Sequence, residues 1–88
     1  MKYRSSLQLI ESVLDNVQEP KKITHVIQKT NISHARLEAA LHKLIGSGLV
    51  NQIEYDGYKA FVVTDKGRMY LEEYKRFNDL ALSFGLEL

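Results

Sequence analysis

Residues 29–50 read KTNISHARLEAALHKLIGSGLV, and this stretch decides the fold because it holds one helix together with both of its end signals. Ser33 predicts the helix start, since a serine side chain accepts a hydrogen bond from the free N–H groups there. Gly46-Ser47-Gly48 predicts the helix end, because glycine readily supplies the positive φ of a C-terminal cap. The apolar residues between these signals recur at the spacing of one buried helix face: Leu37, Leu41, Leu44 and Ile45.

Two further helices are predicted before this one. The first covers residues 5–17, with Ser5 and Gln8 as a capping box and Pro20 forcing its end. Its predicted buried face consists of Leu7, Ile10, Leu14 and Val17. The second helix is short, with a face of Ile23, Val26 and Ile27. Asn31 follows it and is the residue there best able to adopt a left-handed conformation in a tight turn.

The period of the apolar residues changes after Gly48. Residues 49–55 and 58–63 predict two strands, and Asp56-Gly57 between them is the strongest short signal for a two-residue hairpin turn. Thr64 predicts the N-cap of a last helix. Gly67 lies one turn into that helix, where the absence of a Cβ would let the helix approach the hairpin closely.

The last helix carries an aromatic pattern at steps of four and three, which is the a and d spacing of a coiled coil. The pattern consists of Tyr70, Tyr74, Phe77, Ala81 and Phe84. Two heptads are fewer than a coiled coil usually needs, so these residues predict either a dimer seam or aromatic side chains folded back on the domain.

Composition limits the class of protein. The 88 residues are 44% hydrophobic and 26% charged, which predicts one globular domain. The chain has no cysteine and shows neither a signal peptide nor a membrane-length apolar run, so a cytoplasmic setting is expected, with nucleoid association if the chain binds DNA. The formal net charge is only +1, yet five cations against Glu38 fall within residues 21–43: Lys21, Lys22, Lys29, Arg36 and Lys43. A positive face of this kind suits a polyanion partner.

The order α–α–α–β–β–α predicts a mainly helical α+β fold, the winged helix-turn-helix. Four segments carry a resemblance to a known family: Lys22-Ile-Thr24, Asn31-Ile-Ser33, Leu41 to Val50 and Val63 to Gly67. The resemblance is to the small archaeal winged-helix regulators, and among them to the ten-kilodalton archaeal DNA-binding proteins that dimerise through a C-terminal coiled coil. It implies a winged DNA-binding unit at residues 1–64 and a dimerisation helix at residues 65–88, both within one domain.

The predicted site follows from this order of elements, with the third helix in the major groove of duplex DNA. Its predicted contact residues are Ser33, His34, Arg36, Ala39, His42 and Lys43. The second helix is expected to contact phosphates through Lys21, Lys22, Thr24, His25, Gln28 and Lys29. The wing offers Tyr55, Asp56, Gly57, Tyr58 and Lys59. Arg36 is the first candidate for a base contact, with Glu38 expected to brace it.

Other classes of function find less support in the sequence. His34 and His42 are about 12 Å apart along one helix, so they cannot share a metal ion, and no metal or cofactor is predicted. No catalytic motif is present, so an enzyme is not expected. The alternative is a winged-helix module that binds another protein instead of DNA. The expected partners are therefore duplex DNA and a second copy of the chain, with no membrane and no small-molecule effector.

Overall fold

The elements follow the predicted order. The computed structural model describes residues 6–86, so Ser5 of the expected capping box lies outside the described residues. The helices and strands are α1 (Ser6–Asn16), α2 (Ile23–Thr30), α3 (His34–Gly46), β1 (Val50–Tyr55), β2 (Tyr58–Val63) and α4 (Asp65–Ser83). Four helices and one antiparallel pair of strands make a mainly helical α+β fold, as predicted.

The core lies where α1, α2 and α3 meet the inner face of the strands. Its most deeply buried side chains are Val13, Leu14, Val17, Val26, Leu37, Leu41 and Val50. The prediction of a buried side chain is wrong at two positions. Leu7 is 43% exposed, because α1 turns Leu9 and Val13 inward instead, and Ile45 is 36% exposed at the edge of the buried face of α3.

The turn between α2 and α3 has the predicted conformation. Asn31 lies in the left-handed region at φ 57° and ψ 32°, and its N–H donates to the Ile27 carbonyl. Ile32 is 4% exposed and anchors the turn in the core. Ser33 accepts a hydrogen bond from the Arg36 N–H at 3.3 Å and thereby begins α3. The orientation of α3 is thus fixed by three consecutive residues.

The two strands form a hairpin whose turn is Asp56-Gly57, with φ values of 51° and 78°. Positive φ at both positions is typical of the two-residue turn that the sequence predicts. One pairing is not predicted: Lys21 exchanges two backbone hydrogen bonds with Phe61, at 3.0 and 2.9 Å. Lys21 therefore lies beside the hairpin rather than on α2, and it fixes the hairpin against the start of α2.

Helix α4 begins tightly packed and ends largely exposed. Its first turn lies against the hairpin at Gly67, as predicted. Further along, Lys75 forms a 3.2 Å ion pair with Asp15 of α1. Burial and the neighbouring Asp15 carboxylate raise the pKa of Glu11, and Lys75 opposes that shift. None of the described helices is long and apolar enough to cross a lipid bilayer.

The predicted seam on α4 is divided between the domain and the surface. Tyr70 and Tyr74 are half-buried and Ala81 is 7% exposed, so these three do not form an open stripe. Phe77 and Phe84 are 58% and 73% exposed. Leu80, which the heptad spacing places off the seam, is 55% exposed and lies between them on the same helix face. We call Phe77, Leu80 and Phe84 the apolar stripe.

Candidate nucleic-acid interface

Helix α3 presents a ridge of small and polar side chains to solvent. All six residues predicted to contact DNA from this helix are exposed: Ser33, His34, Arg36, Ala39, His42 and Lys43. Opposite the buried leucines, Ala35, Ala39 and His42 follow one another at steps of four and three, so they share the outermost face. The two alanines give this face little height, which leaves room for a close approach by another molecule.

A groove of about 520 Å³ runs along one flank of α3, between that helix, the start of α2 and the hairpin. We call it the wing-side groove. Its floor includes Ile45 and Phe61, and its polar lining is formed by Lys22, Thr24, His34, Glu38, His42, Gln52, Tyr58 and Lys59. Predicted residues from three separate elements, namely α2, α3 and the wing, therefore meet in one place.

Lys22 is held in this groove by an aromatic contact. Its Nζ lies 4.1 Å from the centre of the Tyr58 ring, a distance at which the ring face attracts a cation. Tyr55 packs edge-on against Tyr58, with ring centres 6.1 Å apart. Both tyrosines are thus cross-strand partners, as their spacing across the turn favours. The tyrosine pair orients the lysine, and Lys59 follows Tyr58 directly in the same groove.

A second, smaller groove of about 290 Å³ lies on the opposite flank, between α3 and α1. We call it the α1-side groove. Arg36 and Lys43 line it, together with Ala39, Ala40, Leu44, Leu9 and Ile10. Each flank of α3 therefore carries two permanent cations, with Lys22 and Lys59 on one side and Arg36 and Lys43 on the other.

The expected partnership of Glu38 with Arg36 is wrong. Glu38 Oε2 lies 3.2 Å from His34 Nδ1, an i,i+4 pair that becomes an ion pair when the imidazole is protonated. Residues two positions apart on a helix do not face each other, so Glu38 and Arg36 point to different flanks. This placement leaves Arg36 beside Lys43 and the apolar side chains of the α1-side groove.

The remaining residues predicted to contact DNA line neither groove. Lys21 is half-buried, its Nζ lies 4.0 Å from Glu19, and its backbone pairs with Phe61. His25 is half-buried, and Gln28 and Lys29 are exposed on α2, but none of the three lines either groove.

The tip of the hairpin is exposed at Tyr55, Asp56 and Gly57. Gln52 of the wing-side groove is not predicted, although the hairpin register set by Asp56-Gly57 pairs it with Phe61 on the face that carries Lys59, a signal that could have found it.

The two grooves combine an open shape with a basic lining. Among residues 6–86, no cluster of three or more histidine, cysteine, aspartate or glutamate side chains could hold a metal ion. Among the described residues, the polar lining of the two grooves is mainly basic, and Glu38 is the one carboxylate in it. A helix ridge between two basic flanks is a surface for an extended anionic partner.

Three helices, a tight turn before the third, and a hairpin beside it define a winged helix-turn-helix domain. A family model described as winged helix-turn-helix matches residues 3–82, and the chain belongs to this family. A search of curated protein sequences found no match.

Solved structures share the fold at low sequence identity. Sso10a-2, described as a DNA-binding protein from Sulfolobus solfataricus, has a TM-score of 0.82 at 21% identity, over 92% of this chain and 85% of that one. SSV1 F-93 has a TM-score of 0.69 at 19% identity, over 96% and 97% of the two chains. TubR, solved with 24 base pairs of tubC from Bacillus thuringiensis serovar israelensis, has a TM-score of 0.65 at 15% identity, over 85% and 98%. The expected resemblance to small archaeal winged-helix proteins is confirmed by these likenesses of fold.

Proposed function

We propose that this chain is a DNA-binding regulator that acts as a homodimer and places α3 in the major groove of duplex DNA. The observation that carries the proposal is the pair of cations on each flank of α3. A major groove is about 12 Å wide and is bordered by two phosphate strands. A helix lying in it needs positive charge on both sides, and this helix has it.

Within this proposal the lysines of the two flanks contact the phosphates, and Arg36 and the ridge face the bases. Lys22, Thr24 and Lys59 contact one strand from the wing-side groove, and Lys43 contacts the other strand from the α1-side groove. Such contacts fix the register of the protein without reading sequence. Arg36 and His42 lie closest to the base edges, and an arginine there pairs with guanine through two hydrogen bonds.

Two of the solved relatives support DNA as the partner, because Sso10a-2 is described as a DNA-binding protein and TubR was solved with DNA bound. The protein would act as a binding module and not as an enzyme. Residues 65–88 would serve dimerisation, through the apolar stripe that the described domain leaves uncovered. A two-fold dimer would then meet half-sites about 34 Å apart, or a multiple of that.

Single charge removals on the two flanks test this proposal. We expect Lys22→Gln and Lys43→Gln each to weaken binding to random duplex DNA and to lower the slope of log affinity against log salt by about 1, since each removes one phosphate contact. Fluorescence anisotropy at several salt concentrations measures both quantities.

The matched control is Lys75→Gln, which removes the same charge from α4, where Lys75 pairs with Asp15 and lines neither groove. Its slope should equal that of the wild type. Equal losses for all three variants would mean that only total charge matters and would contradict the two-flank arrangement. If the wild type binds no DNA at low salt, the chain is instead a winged-helix module for another protein.

A further inference from the structure

The end of α3 is joined to the start of α4 by three hydrogen bonds. Ser47, Gly48 and Leu49 form the turn that ends α3, and their three consecutive carbonyl groups all accept from the first turn of α4 or its cap. Lys66 Nζ donates to the Ser47 carbonyl at 3.2 Å. Thr64 Oγ1 donates to the Gly48 carbonyl at 2.7 Å, and the Thr64 N–H donates to the Leu49 carbonyl at 3.0 Å. We call these bonds the α3–α4 junction.

The turn that accepts the junction bonds is itself fixed by backbone hydrogen bonds to α3. Gly48 N–H donates to Ile45 and Leu49 N–H donates to Leu44, the pattern of a Schellman cap with Gly48 at φ 77°. Such a cap satisfies carbonyls inside α3, and the junction satisfies those of the turn itself. Lys66 also places a positive charge at the C-terminal end of α3, where the helix dipole favours it. No flexible linker therefore separates the two helices.

We infer that the α3–α4 junction, with Lys66 as its positioning residue, sets the direction of α4 relative to α3 and thereby the distance between the two α3 helices of a dimer. This inference rests on the proposed function, in which α3 reads DNA and α4 pairs with a second copy. A rigid arm between these two elements fixes the spacing of half-sites. Lys66 itself is exposed and lines neither groove, so it acts on DNA recognition only through the helix that it positions.

The alternative origin of the same rigidity is the packing of α4 on α1. Lys75 pairs with Asp15 at 3.2 Å, and Arg68 donates to the Gln18 carbonyl at 3.4 Å. Both contacts hold α4 against the end of α1, and neither touches the turn after α3. A substitution at Lys66 leaves these contacts in place, so it separates the Lys66 bond of the junction from the α1 packing.

Distances between spin labels measure the junction directly. The chain has no cysteine, so Ala39→Cys on α3 and Asp79→Cys on α4 introduce unique labelling sites, both exposed. Double-labelled chain diluted with unlabelled chain reports the distance within one protomer by pulsed electron spin resonance. We expect the distance between the two labels to give one narrow peak when Lys66 is present. In Lys66→Met we expect this peak to broaden. Lys66→Arg, which keeps a cationic donor, should restore it.

Arg76→Met is the matched control, because it removes one cation whose ion partner, Glu73, lies on α4 itself. It should leave the distribution narrow, and thermal unfolding of each variant checks that the fold is retained. An equally narrow peak in Lys66→Met would overturn the inference that Lys66 positions α4, and would leave the rigidity to the two Thr64 bonds, the close packing at Gly67 and the contacts with α1. This measurement within one protomer does not depend on dimerisation or on DNA.

The dimer is examined separately with Ala39→Cys as the single label. A narrow distance between protomers that broadens with Lys66→Met supports the inference. The absence of any distance between protomers would overturn the spacing role together with the proposed dimer, while the junction would still be judged by the first measurement. Sites selected from random DNA should show one half-site spacing for the wild type and several for Lys66→Met, and a single unchanged spacing would contradict the inference.

Discussion

Gly67→Ala is expected to lower the free energy of unfolding by about 2–3 kcal/mol, in the upper part of the range of roughly 1–3 kcal/mol for overfilling a packed site. A Cβ at this position would lie 2.6 Å from Val63 Cγ2 and closer still to the Leu49 carbonyl oxygen. The Leu49 carbonyl cannot retreat, since it accepts the Thr64 N–H at 3.0 Å. Because 1 kcal/mol shifts the Tm of a domain of this size by about 4–8 °C, we expect a fall of roughly 10–20 °C in thermal unfolding followed by circular dichroism.

Gly46→Ala is the matched control for this prediction. Gly46 is the last residue of α3, and a Cβ there would meet nothing within 4 Å. The same substitution should therefore stabilise the protein by up to about 1 kcal/mol, through the higher helix propensity of alanine. If Gly67→Ala were also neutral or stabilising, the close approach of α4 to the hairpin described above would be wrong.

Phe77→Asp is expected to convert the proposed dimer into monomers. Phe77 lies within the apolar stripe, is 58% exposed, and is flanked on the same helix face by Leu80 and Phe84. Burying an unpaired carboxylate in an apolar interface is costly, so the substitution should abolish pairing of the stripe. Because a dimer gains from binding two half-sites at once, DNA affinity should fall by roughly 100-fold or more. Sedimentation and anisotropy measure the two effects.

Leu82→Asp provides the comparison. Leu82 is also on α4 and is 50% exposed, but the helical spacing places it away from the apolar stripe. This variant should remain dimeric and keep its affinity for DNA. A wild-type protein that sediments as a monomer would remove the assignment of the stripe to dimerisation.

The local signals in the sequence predict the fold well, because they act within a few residues. Ser33 and Thr64 accept the hydrogen bonds of N-caps, and Asn31 and Gly57 adopt the positive φ that their turns require. Each of these features is fixed by side-chain and backbone chemistry at the position itself. The pairing of Lys21 with Phe61 is different, since two residues 40 positions apart form this isolated bridge only through the packing of the elements between them.

The candidate site is predicted less completely than the fold. Helical spacing identifies the exposed residues of α3, but it does not say which neighbouring element each flank faces. Lys22 and Lys59 lie on one flank, and Arg36 and Lys43 lie on the other, because the hairpin and α1 pack on opposite sides of α3. The heptad pattern likewise assigns Tyr70 and Tyr74 to a seam, whereas the packing of α4 on the domain half-buries them and leaves Leu80 exposed.

The most direct test of DNA binding is the affinity of the wild-type protein for random duplex DNA, measured by fluorescence anisotropy over a series of salt concentrations. Our account predicts binding at low salt whose logarithm falls linearly with the logarithm of salt concentration, with a slope that corresponds to several released counterions. Lys22, Lys59 and Lys43, doubled in a dimer, set the scale of that slope. No binding at low salt, or an affinity that does not change with salt, would contradict it.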